Sequence, residues 1–255
     1  MCTLVILRRP EHEWPVVIGA NRDEMIDRPA LPPGRHWPDR AEVVAGLDLK
    51  AGGSWLGVND WGVAAAILNR HGSLGPAAGL RSRGELVLEA LDHADAVAAA
   101  AALSHLDPAA YRSFNLIVAD NRDAFWLRHA GAPSSGGGRI EARPLKDGLS
   151  LIAAGDVDEL ITPRLALAQP RFRAAPAPDP DSEDWAAWQD LLGDDTVPPG
   201  ASPEMALRFR TARGYGTVSS TLIALPATPS LERRAIFRYA GWLPEPSPWC
   251  NVNGI

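Results

Sequence analysis

The chain has 255 residues, 46% of them apolar and 22% charged, with a net charge of −6 at neutral pH. That composition is enough to bury a substantial core, and an acidic chain without a block of Lys or Arg is no nucleic-acid binder. With two cysteines, Cys2 and Cys250, a disulfide framework is excluded by count. No 20-residue apolar span and no leader with basic residues ahead of a long apolar run occurs, so the chain is expected to be cytoplasmic, with no transmembrane segment.

In chain order, short β-branched and apolar runs predict strands at Thr3–Leu7, Val16–Gly19, Glu42–Ala45, Ser54–Val58 and Val63–Leu68. Further strands are predicted at Phe114–Ala119, Ala124–Leu127, Leu149–Ala153, Thr217–Leu225 and Ala235–Tyr239. Asn59-Asp60-Trp61-Gly62 and Asp120-Asn121-Arg122-Asp123 carry the residues that tight hairpins require. Helices are predicted from a capping box at Ser82–Glu85, along the Ala-rich run Ala94–Leu103, over Asp184–Leu192, and opening at Ser202-Pro203-Glu204. Pro133–Arg139 and Ala174–Asp181 read as a surface loop and an exposed connector. Helices inserted among many hairpin-linked strands fit packed antiparallel sheets flanked by helices rather than alternating βαβ units.

Three places carry chemistry. Removal of Met1 would place the α-amine of Cys2 beside its own thiol, so that one residue supplies both nucleophile and base. Packing at a strand start is the simpler account of the same cysteine. The run Ala20-Asn21-Arg22-Asp23-Glu24 follows a predicted strand. Asp23 is expected to hold the amine, and Arg22 a substrate carboxylate, although a charged turn with internal ion pairs fits the same residues. Asn69 ends an apolar strand, where its amide either donates to a developing oxyanion or forms a turn.

Taken in order, these motifs resemble the NRDE family. They are Met1-Cys2-Thr3, Asn21-Arg22-Asp23-Glu24 with Arg28-Pro29, Gly46-Leu47-Asp48, Gly52-Gly53-Ser54-Trp55-Leu56-Gly57 and Asn69. Arg83-Gly84-Glu85-Leu86-Val87, Phe114-Asn115-Leu116-Ile117 and Gly214-Tyr215-Gly216-Thr217 complete the set, which extends to about residue 225. The resemblance implies one domain over residues 1–255, an α+β fold built as a four-layer αββα sandwich of the N-terminal nucleophile hydrolase type. It also implies Cys2 as nucleophile, Asp23 as the group that orients the amine and Asn69 as oxyanion donor; Asn21, Arg22, Trp55, Arg70 and Asp156 are expected about the substrate. No metal and no cofactor is implied.

Against the related cysteine-nucleophile acylases, an expected Arg falls on Ala20 and a later Asn falls near Asp156. The Arg that often follows Gly-Tyr-Gly-Thr within the family falls on Val218. Two functions therefore stand side by side: an amidohydrolase of a small acylated amide, and a non-catalytic carrier of haem or lipid. The carrier would use a pocket lined by Trp14, Trp37, Trp55 and Trp61, with His36 or His71 as ligands to the haem iron. A scaffold role has no exposed heptad or peptide-like motif behind it.

Overall fold

The computed structural model describes residues 2–131, 138–230 and 233–254; most of the loop expected at Pro133–Arg139 lies outside the described residues. Six strands form one antiparallel sheet in the order β10 (Gly148–Ile152), β1 (Thr3–Arg8), β2 (Val16–Met25), β11 (Tyr215–Leu225), β12 (Ile236–Gly241) and β13 (Cys250–Asn251). The second sheet runs sequentially through β3 (Ala30–Gly34), β4 (Val43–Asp48), β5 (Leu56–Asn59), β6 (Ala64–Asn69), β7 (Phe114–Ala119), β8 (Ala124–His129) and β9 (Glu141–Pro144).

Side-chain alternation along each strand divides the core into three layers. Leu4, Ile6, Val16, Ile18, Ile117 and Ile223 meet between the two sheets. Their strand neighbours Val5, Val17 and Leu222 turn outward against α3 (Pro163–Ala174) and α4 (Ala186–Leu192), where Phe172 and Trp188 pack edge to face at 5.3 Å. Leu116 and Val118 of the second sheet pack on α1 (Gly84–Leu91) and α2 (Ala96–Ser104). The result is an αββα sandwich, as the family resemblance implies.

Both predicted hairpins form. Gly62 takes the left-handed conformation (φ +83°) between β5 and β6, and the Asp120 carboxylate accepts from the backbone N–H groups of Arg122 and Asp123 between β7 and β8.

Several expectations need correction. The Asn21–Glu24 tetrapeptide does not follow β2 but lies inside it, because the ladder with β11 continues through all four residues, while the ladder with β1 ends at Asn21. The edge strands β3, β9 and β13 escape prediction; β3 reads Ala-Leu-Pro-Pro-Gly, and edge positions tolerate Pro and short length. The capping box does not close: Ser82 Oγ accepts from the Gly84 N–H, while Glu85 pairs with Arg81 at 2.7 Å. The helix opening at Ser202 is a single 3₁₀ turn, Pro203–Met205. Helix α3 is not among the predicted helices; it accommodates two prolines, since Pro163 sits in the first turn, where no N–H is needed, and Pro170 lies on the exposed side. Among the described residues, no helix is long and apolar enough to cross a membrane.

Candidate active site

Cys2 precedes β1 and packs on the same inner face as Leu4 and Ile6, against the core between the sheets. The β1–β2 ladder brings its Sγ alongside Asp23, whose N–H donates to the sulfur at 3.4 Å. Burial, and next to it the charge of Asp23, pushes the thiol pKa up. Both cysteines are free thiols, so no Cys2–Cys250 bridge forms.

The pleat of β2 sends successive members of the tetrapeptide to opposite faces. Asn21 faces the helical layer, where its amide donates to the carbonyls of Leu192 and Leu207 at 2.9 and 2.8 Å and its oxygen accepts from Ser220. Asp23 faces the same layer. One carboxylate oxygen takes the Arg164 guanidinium at 2.6 Å and the other takes Thr217 Oγ1 at 2.8 Å. Arg22 points the other way, between the sheets, with its guanidinium 4.0 Å from the centre of the Trp55 ring. Opposite this segment β11 carries a bulge between Thr217 and Ser219, so Val218 occupies the irregular position.

Cys2, Arg22, Asp23, Trp55 and Asn69 all line one cleft of about 320 Å³. Asn69, at the end of β6, makes no side-chain hydrogen bond to another described residue, so its carboxamide is available to a ligand. The opposite wall brings the loop around Gly53 against the start of α1. Gly53 and Gly84 touch backbone to backbone, with the Ser54 N–H donating to the Gly84 carbonyl at 2.9 Å. Arg83 and Arg112 complete this wall and, among the described residues, bind only neutral oxygens. Arg83 donates to Ser73 Oγ and the Ser113 carbonyl at 2.9 and 3.0 Å, and Arg112 to the Gly72 and Leu74 carbonyls at 2.7 Å. Burial, with the neighbouring Arg112 charge, pulls the Arg83 pKa down to about 10.

The other expected site residues lie elsewhere. Arg70 and Asp156 do not line the cleft. Arg70 reaches Asp156 at 2.6 Å and Asn115 Oδ1 at 2.7 Å, and Arg128 joins Asp156 at 2.9 Å. The buried Asn115 amide donates in turn to the carbonyls of Ala153 and Gly155. This network clamps the loop after β10 onto β6, β7 and β8. Asn21 likewise has its polar atoms committed inside the protein. Ala20 packs into the core between the sheets.

Of the tryptophans, only Trp55 lines the cleft; Trp14 is in the helical layer, Trp37 bonds the Gly52 carbonyl and Trp61 is half exposed. Neither His36 nor His71 lines the cleft. The His36 ring bonds the Pro32 carbonyl at 2.8 Å and His71 is exposed.

Sequence reasoning missed Arg164 and gave no role to Thr217 or Arg83. Only Thr162-Pro163 ahead of Arg164 carried a signal, since Pro in that position marks a helix start. Nothing local shows that Arg164 runs back under a strand 141 residues earlier.

The family model described as Transport and Golgi organisation 2 matches residues 1–232. The Transport and Golgi organization protein 2 homolog of Bos taurus is 37% identical over 124 residues, covering 43% of this chain and 40% of that protein. The homolog of Homo sapiens is 34% identical over 119 residues with the same coverages. The chain thus spans 40% of the length of the curated relatives it matches.

Among solved structures, penicillin V acylase from Agrobacterium tumefaciens is similar over 100% of this chain and 87% of its own, with a TM-score of 0.61 and 16% identity. The N-acylethanolamine-hydrolyzing acid amidase ortholog of Caenorhabditis elegans is similar over 92% of this chain and 98% of its own, with a TM-score of 0.59 and 13% identity. Conjugated bile acid hydrolase from Clostridium perfringens, over 98% and 92%, gives 0.55 and 10%. At these identities the likeness is one of fold.

Proposed function

Since the chain belongs to the Transport and Golgi organisation 2 family, a finer assignment than its tetrapeptide suggests, we propose that it is a cysteine-nucleophile hydrolase of small acylated amides. The observation that carries this reading is the meeting of Cys2, Asp23 and the uncommitted carboxamide of Asn69 on one cleft. The fold shared with three amide-cleaving enzymes supports it, and fold alone does not decide chemistry.

The proposed reaction begins with removal of Met1. The freed α-amine of Cys2 takes the thiol proton, which matters because burial leaves the thiol itself reluctant to ionise. Asp23 steadies the resulting ammonium from a carboxylate held by Arg164 and Thr217. The thiolate attacks the amide carbon and the Asn69 amide donates to the oxyanion. The intermediate collapses as the ammonium gives its proton to the departing amine nitrogen, leaving a thioester on Cys2. The amine then takes a proton from water, hydroxide attacks the thioester, and the acid leaves as the thiol re-forms.

Intact-mass measurement tests both stages. The reading expects the mature protein to lack Met1 and to gain one acyl mass from an activated acyl ester, with the gain abolished in Cys2→Ala. A protein that keeps Met1, or a variant that labels as well as the parent, sinks it.

A further inference from the structure

Arg22 is 9% exposed and lines the cleft with Cys2. Its guanidinium lies over Trp55 and makes neither an ion pair nor a hydrogen bond with any described residue. The two carboxylates whose charge reaches it, Glu24 and Asp48, are both held by Arg28, at 3.7 and 2.8 Å. Arg83 and Arg112, on the facing wall, bring two more positive charges that, among the described residues, meet only neutral oxygens. Other arginines in the chain, such as Arg40, Arg70, Arg81 and Arg164, are paired with carboxylates.

A desolvated guanidinium without a counter-charge is costly, and an anion seated against it removes that cost. Burial pushes the Arg22 pKa down, as expected for a cation lacking such a partner. The indole covers the flat face of the guanidinium. That leaves the in-plane N–H edge, whose fork matches a planar carboxylate. Leu80, 37% exposed and lining the same cleft, offers an apolar contact away from this charge.

We propose that Arg22 is the recognition group for a carboxylate on the ligand. The amides taken by this site are then those with a carboxylate within a few bonds of the carbonyl, as in an N-acyl amino acid. That such amides are cleaved rests on the hydrolase reading; the binding preference does not.

The test compares N-octanoylglycine with its neutral counterpart N-octanoylglycinamide, titrated by calorimetry at pH 7 into the Cys2→Ala protein, with and without Arg22→Gln. The acid is expected to bind about tenfold or more tightly than the amide, and the preference to disappear in Arg22→Gln. Equal binding, no binding of the acid, or a preference that survives Arg22→Gln overturns the proposal. The Arg22-bearing comparison stands alone if Arg22→Gln fails to fold. Release of glycine or glycinamide by the parent protein separates the two readings. Preferential binding without release removes the hydrolase reading only, whereas equal release from both amides removes this proposal only.

Discussion

The Arg164 guanidinium meets the Asp23 carboxylate at 2.6 Å, with the two side chains 6% and 0% exposed. Two backbone-directed bonds to the Glu204 carbonyl, at 2.9 and 2.6 Å, and a Phe209 ring 4.6 Å away fix the arginine from behind. Asp23 is therefore held from a helix that approaches the sheet opposite the cleft, so the acid's position depends on how α3 docks.

Breaking this pair from one side leaves a buried charge uncompensated. Arg164→Met is expected to lower stability by about 3–5 kcal/mol, measured by urea denaturation. The double variant Arg164→Met with Asp23→Asn should cost clearly less than the two single changes added together. Strict additivity would show that the pair is not coupled.

The thiol makes a pH prediction. Because burial and then Asp23 raise the Cys2 pKa, alkylation by iodoacetamide of protein that retains Met1 should reach its half-maximal rate above the usual thiol range. Protein from which Met1 has been removed should react at lower pH, since the adjacent amine supplies the base. The sign for stability follows from the raised value. The contribution of the buried neutral thiol is complete below the unfolded pKa and is lost as pH rises through the folded one. Replacing Cys2 with Ala should flatten the alkaline limb of the stability profile.

The Arg70–Asp156–Arg128 cluster predicts an acid-side effect. Burial alone would raise the Asp156 pKa, but hydrogen bonds from Arg128 and Arg70, with their charges, hold it below the usual carboxylate value. Its contribution is present above the unfolded pKa and lost as pH falls through the folded one. The melting temperature of Asp156→Asn should fall short of the parent at pH 7, and the gap should close below about pH 4.

The cleft wall is sensitive to a single methyl group. A Cβ at Gly53 would overlap the Gly84 backbone and force the loop off the start of α1. Gly53→Ala is expected to cost about 1–3 kcal/mol in stability, read by denaturation, and to weaken ligand binding in the same protein. An unchanged protein on both measures would mean the wall yields without consequence.

Periodicity and turn chemistry, which are local, placed most strands of both sheets within a few residues, together with the two hairpins. β7 was placed at both ends, Phe114–Ala119, because it is buried on both faces and bounded by turn residues. The three short edge strands lay beyond such reading, since their sequences are set by what covers an edge and not by a repeating pattern. The same locality limits the site. The order Cys2, Asn21–Glu24, Trp55, Asn69 is written in the chain, but that Arg22 and Asp23 face opposite ways follows only from the extension of β2 to Met25 against β11.

What surrounds each of them belongs to the tertiary structure. Arg164 comes to Asp23 from 141 residues away, while Arg70 and Asp156, 86 residues apart, satisfy each other outside the cleft. A charged side chain is drawn to whichever opposite charge the packed chain brings within hydrogen-bond reach. That choice is made by the docking of sheets and helices, after the sequence has determined only which residues are there to be chosen.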